Sequence, residues 1–136
     1  MRISAVVLGL AMLVFFAQLG QAQRRAPARP PAMRVGTCVR TTIREVSQRL
    51  EDGTTHRPMP GSGSAVEFAN GLYQVSYDQV PEVNRSRRGD PVFVCLMRLP
   101  QHCPPGDVRG KLYTTTNLRT EESWTLPDAE HGCGGA

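Results

Sequence analysis

Residues 64–77 decide the fold, and they read Ser-Ala-Val-Glu-Phe-Ala-Asn-Gly-Leu-Tyr-Gln-Val-Ser-Tyr. Asn70-Gly71 lies between two runs in which apolar and polar side chains alternate, and this is the strongest short-range signature of a β-hairpin. A two-residue type I′ turn would place Phe68 opposite Tyr73 and would turn Gln74 towards solvent. The predicted inner face of the hairpin then carries Val66, Phe68, Tyr73, Val75 and Tyr77.

Other segments also have strand or loop patterns. Residues 92–99 are apolar on both faces over six positions, which is typical of a strand that is central or covered on both sides. Residues 111–117 and 123–126 alternate and are joined by a polar connection, which predicts a second antiparallel pair. Residues 52–63 contain two prolines and three glycines and predict a loop.

The first part of the folded region fits two patterns. β-Branched residues alternate over 37–46 and favour a strand. Ile43, Val46 and Leu50 also recur at helical spacing, after a capping box. We expect a strand over residues 37–46. For residues 42–51 the sequence is compatible with both a strand and a helix.

These segments together predict an all-β domain over residues 35–136. Five or six short strands in about a hundred residues fit a small barrel of the SH3-like or OB-like type better than a sandwich. Residues 23–34 hold three prolines and four arginines with one large apolar side chain, so we expect a disordered linker there.

Residues 1–22 have the pattern of a secretory signal peptide. A positive start is followed by an apolar run of fifteen residues and by small residues that predict cleavage after Ala22. The run is shorter than the roughly 20 residues that a membrane span needs. We therefore expect a periplasmic or secreted protein with no transmembrane span after cleavage.

The charge is concentrated in the linker. The formal net charge is +4, but from Val35 onward eleven Lys and Arg stand against twelve Asp and Glu. A near-neutral domain lacks the basic face that nucleic-acid recognition requires, so we expect no nucleic-acid partner. The basic linker would suit an anionic envelope polymer.

Four cysteines in an exported chain predict two disulfide bonds. Three pairings are open, and we expect Cys38–Cys95 and Cys103–Cys133. Alternation places Cys38 on the side of its strand away from the predicted core, so a bulge or a later strand start would be needed to bury it.

Zinc is the competing interpretation, because His102-Cys103 and His131-Gly132-Cys133 supply two histidines and two cysteines. Adjacent ligands such as His102 and Cys103 point apart on an extended chain, so we predict no metal site.

Five residues are candidates for ligand contact. Asp107 and Arg109 lie in a turn-rich segment at 103–110. Trp124, Asp128 and His131 place an aromatic ring near polar groups, an arrangement that suits carbohydrate-like ligands. A single tryptophan in a small barrel is more often a core residue. We predict no catalytic residue and no cofactor. The five candidates are Asp107, Arg109, Trp124, Asp128 and His131.

Several strings of the chain are similar to one set of proteins. The strings Cys-Pro-Pro-Gly-Asp-Val-Arg-Gly at 103–110, Asn-Leu-Arg-Thr at 117–120, Ser-Trp-Thr-Leu-Pro-Asp at 123–128 and His-Gly-Cys-Gly-Gly-Ala at 131–136 carry the likeness. Over roughly residues 36–136 the chain resembles small secreted proteins of alphaproteobacteria. The resemblance implies an envelope or secreted location and transfers no catalytic residue.

Three hypotheses about function follow. The first is a non-enzymatic, monomeric module that binds an envelope polymer or a protein partner through loops at 52–63, 80–90 and 101–110. The second is an inhibitor of a secreted or host hydrolase such as a lysozyme, acting through the 103–110 loop. The third is a small hydrolase or metal-dependent enzyme that uses His102, Asp128 and His131.

Overall fold

The structure, a computed structural model, describes residues 30–135. The predicted signal peptide, and residues 23–29 of the predicted linker, lie outside that range. Within it the chain is all-β with one short helix, and no helix there is long and apolar enough to cross a membrane. The elements are β1 (Cys38–Gln48), β2 (Ser64–Phe68), β3 (Tyr73–Ser76), α1 (Pro81–Asn84), β4 (Pro91–Arg98), β5 (Leu112–Asn117) and β6 (Ser123–Pro127).

One antiparallel sheet in the order β3-β2-β1-β4-β5-β6 makes up the fold. β1 is shared by two ladders, because residues 38–42 pair with β4 and residues 43–48 pair with β2. The register shifts between Ile43 and Glu45, and a bulge of this kind bends a strand. The sheet therefore curls into a half-barrel, which brings its two edge strands β3 and β6 close to each other.

The strand interpretation of the first segment is confirmed. β1 continues to Gln48, and its inner face is marked by Ile43, which is buried. Leu50, the last residue of the helical pattern, lies beyond the strand and is exposed. The helical spacing was therefore coincidental, and the β-branched alternation was the informative signal.

The hairpin is confirmed, but its predicted register is wrong by one residue. Glu67 pairs with Tyr73, so three residues rather than two form the loop. The Gly71 amide donates to the Phe68 carbonyl at 3.0 Å, and the Phe68 amide donates to the Leu72 carbonyl at 2.9 Å. Gly71 has φ +82, which fits a turn followed by a left-handed residue, the usual three-residue hairpin loop.

This shift exchanges the faces of the second hairpin strand. Gln74 pairs with Val66 and is fully buried on the inner side. Tyr73 and Tyr77, which were predicted to face the core, are 36% and 52% exposed. Val75 is buried as predicted, but it lies on the opposite face from Val66.

β4 is central as predicted, since it pairs with β1 on one side and β5 on the other. The other alternative, that both of its faces are covered, does not apply. Val92, Val94 and Leu96 are buried, whereas Phe93 and Met97 on the other face are 42% and 49% exposed. Apolar residues on both sides of this strand therefore leave an apolar strip on the outside of the half-barrel.

Both predicted disulfide bonds are confirmed. Cys38 and Cys95 lie directly opposite each other on β1 and β4, with their Cα atoms 3.9 Å apart. Both side chains belong to the outer face of the sheet, so Cys38 does not need to turn inwards. Cys103–Cys133 joins the chain after β4 to the C-terminal segment. The zinc interpretation is wrong because Cys103 and Cys133 are bonded to each other.

Candidate functional site

The outer face of the sheet carries two parallel rows of side chains across β1, β4, β5 and β6. One row runs Arg40, Phe93, Thr116, Ser123, and the other runs Cys38, Cys95, Thr114, Thr125. Register places the members of each row side by side, about 4.8 Å apart from strand to strand. We call this surface the hydroxyl face, consisting of Arg40, Phe93, Thr114, Thr116, Ser123 and Thr125.

The hydroxyl groups of this face are paired across β5 and β6. The Oγ1 atoms of Thr114 and Thr125 are 2.7 Å apart, and Thr116 Oγ1 is 2.8 Å from Ser123 Oγ. In each pair one hydroxyl donates its hydrogen to the other, so one O–H and several lone pairs remain free to bond to a ligand. The pairing fixes the rotamers, so a ligand would meet an ordered set of donors and acceptors.

The charge of the hydroxyl face is positive only. Within residues 30–135, no Asp or Glu is among the outward-facing residues of the two rows. Arg40 is exposed, and it has no ion-pair partner in the same part of the chain. An exposed guanidinium beside an aromatic ring and ordered hydroxyls can contact carboxylate, phosphate or sugar groups.

Asp107 and Arg109, two predicted contact residues, are bonded to each other. Arg109 Nε donates to Asp107 Oδ1 at 3.0 Å and Nη2 donates to Oδ2 at 2.8 Å. The Gly134 amide also donates to Asp107, at 3.0 Å. The hydrogen bonds from Arg109, then those from the Gly134 and Arg109 amides, hold the pKa of Asp107 well below its usual value. Between them Val108 is 59% exposed, so the loop presents an apolar side chain on a fixed base.

Trp124 is a core residue and does not form an exposed platform. It is 5% exposed, and its Nε1 donates to Gln74 Oε1 at 2.9 Å. Gln74 also accepts from Thr115 Oγ1 at 2.6 Å and donates from Nε2 to the Tyr113 and Leu126 carbonyls at 2.8 and 3.1 Å. Both donors and both lone pairs of this buried amide are used, and they connect β3 to β5 and β6 across the open side of the half-barrel.

Asp128 lies at one end of the half-barrel, beside a pocket. Its Oδ1 accepts from the Gly110 and Lys111 amides at 2.8 and 2.9 Å, and its Oδ2 is 3.3 Å from Lys111 Nζ. Asp128 and Lys111 line the pocket together with Tyr113. Asp128 is thus a predicted contact residue that lines a cavity, of about 440 Å³.

His131 belongs to a surface cluster at another position. Its Nε2 is 3.2 Å from the Tyr77 hydroxyl, and the Arg49 guanidinium lies 4.2 Å from the centre of the Tyr77 ring. Arg49 Nη1 is 3.2 Å from Glu130 Oε2. Within residues 30–135, no hydrogen bond or ion pair joins His131 to His102 or Asp128.

A second buried polar group was missed by the sequence analysis. Asp90 is 6% exposed, and Arg119 donates to it from Nε at 2.6 Å and from Nη2 at 2.8 Å. Asn117 Nδ2 and the Arg87 amide also donate to Asp90. The hydrogen bonds from Arg119 are the main cause that lowers the pKa of Asp90 to about 2, against the opposing effect of burial.

Comparisons with known proteins give no relative for this geometry. No family model, no curated protein and no solved structure matches the chain. A function must therefore be inferred from the hydroxyl face, the 103–110 loop and the pocket beside Asp128.

Proposed function

We propose that the protein is a non-enzymatic binding module of the periplasm or the extracellular space, and that it holds an anionic envelope polymer on its hydroxyl face. The observation that carries this proposal is the ordered, acid-free surface around Arg40 and Phe93. Two disulfide bonds support the location, because such bonds persist in oxidising compartments.

The chemistry of the face favours a polymer of sugars that carries carboxylate or phosphate groups. The Phe93 ring offers an apolar surface to the C–H side of a sugar ring, and the flanking hydroxyl pairs can bond to its hydroxyl groups. Arg40 offers a planar fork of donors to an anionic group. Adjacent rows repeat along the strands about every 7 Å, so an extended chain could contact both.

The arginines of the linker would add to this attraction. Arg24, Arg25, Arg29 and Arg34 precede the strand that carries Arg40. Their contribution is long-range and is screened by salt, with a Debye length of about 8 Å at physiological ionic strength. Binding to the polymer should therefore weaken as salt is added, while the contacts of Phe93 persist.

Co-sedimentation with purified peptidoglycan and with a soluble anionic polysaccharide tests the proposal. Arg40→Glu should weaken binding about tenfold or more, because it replaces the one cation of the two rows with an anion. Phe93→Ala should weaken binding several-fold. Arg57→Glu and Met59→Ala are the matched controls, since both residues are exposed on the 52–63 loop away from this face. Equal losses for Arg40→Glu and Arg57→Glu would contradict the proposal.

Val108 supports a second candidate function, inhibition of a secreted or host hydrolase. Within residues 30–135 it is the most exposed of the large apolar side chains, and its loop is anchored by Cys103–Cys133 and by the Asp107–Arg109 pair. A loop that is already ordered loses little entropy when it enters a cleft.

Inhibition assays against lysozyme and a panel of secreted proteases test this candidate. The wild-type protein at equimolar concentration should reduce one of these activities, and Val108→Asp should restore it. Val35→Asp is the matched control, because Val35 is also an exposed valine, at 54%, outside the loop. Unchanged activity of every hydrolase in the presence of wild-type protein would rule the candidate out.

A further inference from the structure

One end of the half-barrel contains a pocket of about 440 Å³ on the inner side of the sheet, opposite the hydroxyl face. Its apolar lining includes Leu72 and Leu96, which are almost fully buried, and Met33, which packs on the core. Tyr113, Lys111 and Asp128 are its polar members. The lining of the pocket is polar and apolar in about equal parts, and a cavity of this volume in which a few polar groups converge beside apolar side chains can hold a small molecule.

The Tyr113 hydroxyl is the first polar group that the pocket offers to a ligand. The residue as a whole is 4% exposed and lines the pocket, and among residues 30–135 no hydrogen bond joins its hydroxyl to the protein. The hydroxyl is accessible from the pocket, since the one fully buried side-chain atom without a partner in the described residues is Thr120 Oγ1, and it can therefore donate to a bound molecule. Burial, with a smaller effect of the Asp128 charge, raises the pKa of Tyr113 to about 12, so the hydroxyl remains a donor at neutral pH.

Lys111 and Asp128 complete the set of polar groups without adding net charge. Lys111 Nζ donates to the Val108 carbonyl at 2.9 Å and to Asp128 Oδ2 at 3.3 Å, which leaves one of its three N–H groups unused. Asp128 Oδ2 has only the lysine as partner within the described chain. The pocket therefore offers two donors and one acceptor.

We propose that this pocket binds an uncharged small molecule in which an amide group is attached to an apolar chain or ring. The amide carbonyl would accept from Tyr113 and Lys111, and the amide N–H would donate to Asp128. The apolar part would lie against Leu72 and Leu96. A charged head group would lose its hydration without finding an uncompensated opposite charge, since Lys111 and Asp128 neutralise each other.

Three probes with the same chain and different head groups test the ligand class. Octanamide, octanoate and octylammonium are titrated into the protein while the methyl NMR signals of Leu72 and Leu96 are followed. Octanamide should shift these signals and bind the most tightly, with octanoate and octylammonium weaker by about tenfold, the cost of burying a charge without a free partner.

Two variants locate the site. Tyr113→Phe should bind octanamide about three- to tenfold more weakly, because one hydrogen bond is lost and the cavity keeps its shape. Its fold should be intact, since the hydroxyl has no partner in the described chain. Ala32→Trp should block the pocket, because Ala32 is an exposed lining residue, whereas Val35→Trp, which does not line it, should bind as the wild type does.

Three results would overturn the proposal: no shift of the Leu72 or Leu96 signals by octanamide, equal affinity of Tyr113→Phe and wild type, or a preference for either charged probe. Co-sedimentation of Tyr113→Phe with the anionic polymer should be unchanged, because that binding uses the opposite side of the sheet. Failure at the pocket and failure at the hydroxyl face are therefore separate outcomes.

Discussion

Two carboxylate–guanidinium pairs of the same composition lie in different surroundings. Asp90 and Arg119 pair where the ends of β4 and β5 meet, and their side chains are 7% and 36% exposed. Asp107 and Arg109 pair within the 103–110 loop, and their side chains are 18% and 49% exposed. In both pairs the arginine donates two hydrogen bonds to the carboxylate.

The difference lies in what each carboxylate connects. Asp90 also accepts from Asn117 and from the Arg87 amide, so it joins the 80–90 segment to β5 away from water. Asp107 joins its own loop to Gly134, which Cys103–Cys133 already holds nearby. A pair with a buried carboxylate, which belongs to a network that also includes the bonds from Asn117 to Ser86 and from Arg119 to the Arg85 carbonyl, should contribute to global stability. An exposed pair beside a disulfide bond should determine local order only.

The largest effect is expected for Asp90→Ala. Removal of the carboxylate takes an acceptor from Arg119 Nε, from Asn117 Nδ2 and from the Arg87 amide, while Arg119 Nη2 keeps the Arg85 carbonyl. The loss of three charge-assisted hydrogen bonds should lower the free energy of unfolding by about 3 to 4 kcal/mol. Urea unfolding followed by tryptophan fluorescence measures this loss. A loss below about 1 kcal/mol would show that burial of the Asp90 carboxylate does not make its pair more stabilising than the Asp107–Arg109 pair.

The next effect is expected for the double variant Cys103→Ser and Cys133→Ser. The bond closes a loop with a sequence separation of 30, and the entropy of loop closure predicts a loss of about 3 kcal/mol when it is absent. The measurement is the urea midpoint under non-reducing conditions. If the Asp107–Arg109 pair held the loop by itself, the midpoint would hardly change.

Asp90 should contribute to the loss of stability in acid, in addition to the more exposed carboxyl groups whose pKa values are also lowered. Its pKa is lowered to about 2 in the folded protein from 3.8, so the unfolded chain binds more protons between these values. The stabilisation is complete above about pH 5 and is lost as the pH falls towards 2, an amount of about 2 kcal/mol. Urea unfolding at a series of pH values measures it. Asp90→Asn should flatten this part of the profile, and an unchanged slope would contradict the assignment.

The smallest effect is expected for Asp107→Ala. The urea midpoint should stay close to that of the wild type, because the disulfide bond remains and the pair is solvated. The Gly134 amide loses its acceptor, so its hydrogen exchange should become faster. A midpoint shift as large as that of Asp90→Ala would remove the contrast between the two pairs.

The apolar run at 92–99 and the alternation at 111–117 were sufficient to predict strands there, but no such pattern could decide the hairpin register. Asn70-Gly71 is compatible with a two-residue loop and with a three-residue loop that ends in a left-handed glycine. The choice depends on where Gln74 points. Its partners Thr115 and Trp124 are 41 and 50 positions away, so no local pattern contains that information.

The candidate sites were predictable only in part, for the same reason. Asp107 and Arg109 are near in sequence, and their association could be anticipated. Thr114 and Thr116 have the appearance of ordinary solvent-facing residues until the register places them beside Phe93. Tyr113 carries no local signal at all, because its significance comes from a cavity that distant segments enclose.

The two disulfide bonds join the cysteines in the order in which they occur, the first with the second and the third with the fourth. A chain that enters an oxidising compartment from its N-terminus exposes Cys38 and Cys95 first, Cys103 eight residues later, and Cys133 last. Oxidation in order of appearance therefore yields the native connectivity directly. Such a protein should mature without the help of an isomerase that reshuffles mispaired bonds.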